Sequence, residues 1–250
     1  MMSHELPELH HRGRTGLVYE GTPIHAPPSV HEDVWGVLRR HVPAGSKVLD
    51  IGAGSGAFSR RLLEARYHVH AVDLDDEGWS VAGVEIHRQD LNAATWDLAE
   101  TEYDAAVAIE VVEHLENPTG FLRNISRLLR PGGKLLITTP NVLSVESRRR
   151  IVMHGQPSFF GPGLLFSAGH QALLPYWLLE DLLLKTGYRV CERVFIGRQP
   201  VVFRKGRPWQ NYLIVPWVDL LLWTIGRGIP KEAGFASNVA YVVEPGGGGS

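Results

Sequence analysis

The chain has 250 residues, 44% of them hydrophobic, and 25 Lys and Arg stand against 27 Asp and Glu for a formal charge of -2. That length buries one large core without staples, and the near balance of charge leaves no global positive field to concentrate the protein on nucleic acid. A single cysteine, Cys191, excludes a disulfide framework and any Cys-x-x-Cys pair; a reducing cytoplasm is the expected compartment, with Cys191 a small buried residue in a late strand.

Residues 1–29 read as an N-terminal tail that can act as a lid. Met1 to Gly13 is polar and His-rich with no signal-peptide core, and no apolar run is long enough to span a bilayer. Helical spacing of Val30, Val34, Trp35, Val37 and Leu38 predicts a helix over Val30 to His41, ended by Pro43-Ala44-Gly45. A buried strand, Lys47 to Ile51, then carries Asp50 into Gly52-Ala53-Gly54-Ser55-Gly56, and a helix opens near Ala57. Glycines at alternate positions let the backbone turn sharply and approach a ligand without a Cβ in the way, so this bend reads as a nucleoside-cofactor cradle, the plain alternative being a glycine-rich turn. The next strand, His68 to Val72, delivers Asp73, a carboxylate placed to accept hydrogen bonds from ribose hydroxyls.

Asp75 to Gly83 is too short for a full crossover helix before the strand Val84 to His87. Asp104 to Ile109 is a short buried strand, Pro118 to Leu129 a helix, and Gly133 to Thr138 a strand bounded by Pro140. This alternation predicts an α/β fold, a Rossmann-like doubly wound sheet with helices on both faces and ligands at the carboxyl ends of the strands. Gln156 to Gly163, rich in Pro, Gly and Phe, is expected to arch over the site. Tyr176 to Lys185 is a helix with Gly187 as its cap, Tyr188 to Ile196 a strand, and Asn238 to Val243 the last strand. Gly246 to Ser250 has the composition of a flexible linker.

Asp50, Gly52, Gly54 and Gly56 match the acid-x-Gly-x-Gly-x-Gly motif, and with Asp73, Asp104 to Ile109 and Leu128-Leu129-Arg130-Pro131-Gly132-Gly133-Lys134-Leu135-Leu136-Ile137 the chain resembles the class I S-adenosylmethionine-dependent methyltransferases. Gly52, Gly54 and Ala57 also fit the looser dinucleotide pattern, but the leading Asp50 and the Leu-Arg-Pro-Gly-Gly turn belong to the methyltransferase one. The resemblance implies seven strands with the last antiparallel, S-adenosylmethionine as cofactor, and Asp90 and Leu91 at the adenine, Asp90 accepting from the exocyclic amine.

Glu110-Val111-Val112-Glu113-His114 follows the fourth strand of the core. In a helical turn its spacing brings both carboxylates and the imidazole to one face, a set that suits a divalent cation such as Mg²⁺. A similar Glu-x-x-Glu-His occurs in the ubiquinone-biosynthesis O-methyltransferases and in small-RNA 3′-terminal ribose methyltransferases, where it is associated, with a later histidine, with a metal; His170 matches that histidine by order. Glu110, Glu113, His114 and His170 are thus the candidate ligands, and without a metal His114 or His170 is the leading base, with Glu110 at the cofactor or substrate. The bland account makes Glu113 a solvated cap and His114 a hydrogen-bonded pocket residue. Thr139-Pro140-Asn141 matches a Thr-Pro-Asn element of the same subgroup, against an Asx turn as the plain reading.

Arg148, Arg149 and Arg150 can clamp a phosphate, although such a run is more often a solvated helix face. Residues 198–235 interleave Arg204, Lys205 and Arg207 with Trp209, Tyr212, Trp217 and Trp223, a composition suited to peripheral contact of residues 209–226 with the inner membrane surface, or to a homodimer contact or pocket cover. The expected organisation is a methyltransferase domain over 30–245, with 141–175 serving substrate recognition. The expected activity is O-methylation of a small molecule, natural product, glycan or lipid-linked acceptor. RNA ribose methylation and a non-catalytic cofactor-binding scaffold are the alternatives, and DNA is not an expected partner.

Overall fold

The computed structural model describes residues 17–27, 29–76, 78–99, 101–163, 165, 169–197, 224, 227–228 and 230–246. Most of the aromatic-basic segment and Gly247 to Ser250 therefore lie outside the described residues. Strands β1 (Val18–Tyr19) and β2 (Thr22–Pro23) form a small antiparallel hairpin. There follow α1 (Val30–His41), β3 (Lys47–Ile51), α2 (Ala57–Glu64), β4 (His68–Asp73), β5 (Ile86–Arg88), β6 (Tyr103–Ala108), α3 (Pro118–Leu128), β7 (Leu129–Pro140) and α4 (Val145–His154). The chain closes with α5 (Tyr176–Lys185), β8 (Tyr188–Ile196), α6 (Lys231–Gly234) and β9 (Asn238–Pro245).

Seven strands make one sheet in the order β5-β4-β3-β6-β7-β9-β8, with β9 antiparallel to both its neighbours and every other pair parallel. The central strands are apolar on both faces because helices cover both. Leu49, Ile51, Ala106, Ala108, Leu135 and Ile137 pack with Phe121, Leu122 and Ile125 of α3 and Leu179 and Leu183 of α5. Val48, Ala105, Val107 and Leu136 face Val34 and Leu38 of α1 and Phe58 and Leu62 of α2. Strand order reverses between β3 and β6, so a crevice opens beyond their carboxyl ends, where ligands bind in sheets of this kind.

Several boundaries differ from expectation for physical reasons. β7 starts at Leu129, paired with Tyr103, and the Arg130 to Gly133 turn is a register shift within the strand, held by Arg130 on the Asp104 carboxylate. Among the described residues Asp75 to Gly83 forms no helix. Within the expected N-terminal tail, residues 17–26 form a strap closed by the β1–β2 turn, and residues 1–16 lie outside the described residues. Cys191 is only partly buried, 3.7 Å from Lys134 Nζ, so the buried reading of it is corrected. Gly187 does cap α5, at φ 88 and with its N–H on Leu184 O.

Asn141, fully buried at the end of β7, donates from Nδ2 to the carbonyls of Ala233 (2.7 Å) and Ala236 (3.1 Å) and accepts from Leu143 N–H (3.2 Å). It is both the Asx turn and the clamp that fastens α6 and the entry to β9. Asn141→Ala leaves two buried carbonyls and one amide without that partner, and urea unfolding should show a loss of about 2–4 kcal/mol.

Candidate active site

Three glycines shape the bend after β3, with Gly52 at φ 68, Gly54 at φ 59 and Gly56 at φ 89. Space restricts the first of them as strongly as φ does: a Cβ on Gly52 would sit 2.5 Å from Val111 Cγ2, across the crevice at the end of β6. A Cβ on Gly56 would meet the Trp79 ring at 2.8 Å, so the loop that replaces the missing crossover helix packs against the bend. Val72 O accepts from Gly52 and Ala53, and Asp73 Oδ2 accepts from Gly54 N–H at 2.7 Å. The strand-end acid and the glycine bend are therefore one unit.

Asp50 is buried beneath the bend and accepts from Ser59 Oγ at 2.6 Å. Burial, with a smaller push from the Asp73 charge, carries its carboxyl from the usual 3.8 up to about 7 despite the Ser59 hydrogen bond. Asp90 is exposed past β5 and accepts from Asn92 N–H at 2.9 Å, while Leu91 is buried in the core beside it. Sequence reasoning passed over Leu74, a 59% exposed leucine directly after Asp73. An apolar residue immediately following a strand-end acid was the available signal.

Beyond β6 the expected helical turn is shorter than predicted. Only Val112–His114 is helical, a 3-10 turn, and Glu110 precedes it with a left-handed φ of 56. The Glu110 carboxylate therefore leaves the face expected of it. It accepts from Thr138 Oγ1 (2.7 Å) and Asn238 Nδ2 (2.5 Å), while Glu110 N–H donates to Thr138 Oγ1 (2.9 Å).

Glu113, His114 and His170 do converge, each offering a ligand atom within 4.8 Å of the others, and Glu110 is not among them. Glu113 is fully buried; Thr139 Oγ1 donates weakly to Oε2 at 3.4 Å, and Oε1 has no partner. Burial raises both Glu110 and Glu113, and the Glu110 charge raises Glu113 further. Burial lowers His114 to about 4, aided by His170, and lowers His170 too, so both imidazoles are neutral at pH 7. His170 Nδ1 lies 2.7 Å from Phe159 O; a carbonyl only accepts, so Nδ1 holds the proton and Nε2 presents a lone pair.

The expected arch over the site supplies that carbonyl, and Phe160 packs on the His170 ring at 5.4 Å between centroids. Two arginines of the run are spent locally: Arg149 forks onto Glu146, and Arg148 donates to the carbonyls of Leu143 and Arg227, whereas Arg150 Nε is buried without a hydrogen-bond partner among the described residues.

A glycine bend tied to a strand-end acid, at the reversal point of this seven-stranded sheet, defines the class I S-adenosylmethionine-dependent methyltransferases. A family model described as a methyltransferase domain matches residues 36–192, and the chain belongs to that family. It is 34% identical over 158 residues to the ubiquinone biosynthesis O-methyltransferase of Aeromonas salmonicida, covering 55% of this chain and 65% of that protein. A Xanthomonas oryzae relative of the same name is 38% identical over 127 residues, 48% of this chain and 52% of its own. The chain thus spans only about half to two thirds of the curated relatives it matches. Among solved structures, an S-adenosylmethionine-dependent methyltransferase from Archaeoglobus fulgidus shares the fold at TM-score 0.56 and 18% identity, over 85% of this chain and 93% of the other. So does a Burkholderia thailandensis 1,6-didemethyltoxoflavin N1-methyltransferase with bound S-adenosylhomocysteine, at TM-score 0.53 and 17% identity, over 87% and 78%. Among the described residues no helix is long and apolar enough to cross a membrane.

Between about pH 4 and 7 the native state holds an Asp50 proton that the unfolded chain has released, so stability falls as pH rises through that window. Asp50→Asn should remove this share of the fall, about 2–3 kcal/mol between pH 5 and pH 8. Urea midpoints of the two proteins at both pH values check it.

Proposed function

We propose that the chain transfers a methyl group from S-adenosylmethionine to a hydroxyl oxygen, with a catechol or vicinal diol on a small molecule, glycan or lipid-linked acceptor as the chemistry that suits it. The convergence of Glu113, His114 and His170 beyond the end of β6, with Glu113 two positions after the Val111 that touches Gly52, is the observation that carries the reading. Similarity to ubiquinone biosynthesis O-methyltransferases supports oxygen, whereas the fold alone is shared with a nitrogen-methylating protein.

The cofactor supplies an electrophilic methyl on a sulfonium, and the protein's work is position and proton handling. Gly52 and Gly54 admit a nucleoside close to the backbone, Asp73 accepts from its ribose hydroxyls, and Asp90 with Leu91 receives the adenine. Without an ion, His170 accepts the acceptor's hydroxyl proton at Nε2, leaving the oxygen nucleophilic, and His114 stands beside it as a second neutral imidazole; with an ion bound, the same Nε2 lone pair is a ligand instead. Glu110, tied to Thr138 and Asn238, acts as a positioning residue for the turn that carries the trio.

The trio also fits a divalent cation. A buried carboxylate oxygen without a partner and two neutral imidazoles are what such an ion requires, and the mixed donors suit Mn²⁺, Fe²⁺ or Zn²⁺ better than Mg²⁺. Glu113, His114 and His170 would hold it, and it would supply acidity to a bound hydroxyl.

Asp73→Ala should weaken cofactor affinity at least tenfold by calorimetry, and unchanged binding would remove Asp73 from the cradle. Methyl transfer to a catechol should vanish in excess chelator and return with Mn²⁺ or Fe²⁺. Full turnover in chelator would leave the proton-accepting role of His170 and reject the ion.

A further inference from the structure

The N-terminal strap places a side chain against the cofactor bend that the resemblance did not assign. Glu20 and Gly21, at φ 45 and 78, form the two-residue turn between β1 and β2, and Ile24 N–H donates to Leu17 O at 2.9 Å. The strap is fastened at several points. Tyr19 OH donates to Glu64 at 2.8 Å beneath the Arg61 guanidinium, and Pro23 O accepts from Ser55 Oγ, inside the bend, at 2.6 Å. Thr22 and Ala26 are buried and Ile24 packs on the core, whereas Pro23 and His25 alternate outward and stay exposed.

His25 therefore adds nothing to the core, yet its Cδ2 lies 3.3 Å from where a Gly54 Cβ would stand. Gly54 is the residue whose N–H is bonded to Asp73. Resting on the cofactor reading above, we infer that His25 is a cofactor-binding residue: its imidazole hydrogen-bonds an oxygen of the nucleoside seated at Gly54, either a ribose hydroxyl or the amino-acid carboxylate. The strap is then the clamp that carries it, and the clamp lifts for the cofactor to exchange.

Calorimetry with S-adenosylhomocysteine and with adenosine, on the full chain and on His25→Ala, His25→Gln and Asp73→Ala, tests this. His25→Ala should weaken S-adenosylhomocysteine about tenfold, with His25→Gln recovering most of the loss. A matching loss for adenosine assigns the ribose, and a loss for S-adenosylhomocysteine alone assigns the carboxylate. Unchanged binding of both by His25→Ala, with Asp73→Ala impaired, overturns this inference and leaves the cradle standing. Binding of neither ligand by the wild-type chain overturns both. Hydrogen exchange on the wild-type protein serves where His25→Ala fails to fold: S-adenosylhomocysteine should slow exchange across residues 17–26 several-fold, and unaltered exchange there overturns the clamp.

Discussion

The whole carboxyl edge of the sheet hangs on the way β3 gives way to α2. Between Ile51 and Ala57 the chain must leave a central strand, reverse, and enter a helix while keeping its backbone open to a ligand. Left-handed glycines make the path possible, and β4 holds it in place through Val72 O and the Asp73 carboxylate. The same bend faces the far side of the crevice, since Gly52 packs under Val111, and Val111 sits between Glu110 and the Glu113-His114 pair. One van der Waals contact thus sets the spacing between the glycine bend and the Glu110 to His114 segment. A methyl group added at Gly52 would force those two halves apart.

Two carboxylates, Asp50 and Glu113, lie buried around this crevice and a third, Glu110, is half-buried, which is costly, and the protein treats them differently. Asp50 is offset by Ser59, and Glu110 by Thr138 and Asn238, so both accept good hydrogen bonds despite their burial. Glu113 has only a long contact to Thr139, and its second oxygen has none. An orphaned buried carboxylate oxygen costs about 1–3 kcal/mol or more, a burden that functional sites bear when a ligand repays it. The difference sets Asp50 and Glu110, held by good hydrogen bonds, apart from Glu113, whose second oxygen has no hydrogen-bond partner among the described residues.

Much of this was legible in the chain itself. Apolar runs bounded by Gly and Pro located the core strands, because a strand buried on both faces needs no alternation, and Asp50 to Gly56 with Asp73 located the glycine bend and the acid tied to it. What escaped has physical causes. The Glu110 to His114 spacing reads as one helical face only if Glu110 is helical. Nothing local announces a left-handed glutamate, which the hydrogen bonds from Thr138 and from Asn238, 128 residues away, secure. The strap escaped because its two-residue strands are too short for periodicity and Glu20-Gly21 is a weak turn signal. His25 acquires meaning only when the strap folds back onto residues about 30 positions later.

The fold is shared with a protein named as a nitrogen methyltransferase, so the sheet alone does not choose the acceptor. Choice must come from what lies beyond β6 and β7. Here that region is built to fix one histidine: Phe159 takes a left-handed conformation, its carbonyl accepts a hydrogen bond from His170 Nδ1–H, and Phe160 packs on the ring at a tilt. Gln171 and Ala172 then donate to Glu113 O, and Gln171 Nε2 to His114 O, which binds the incoming segment to the 3-10 turn. Backbone and side chain together lock two stretches of chain more than 50 residues apart around a pair of neutral imidazoles. Such rigidity is more than a solvated pocket wall needs, and it is of the kind that holding reacting groups in a fixed geometry requires.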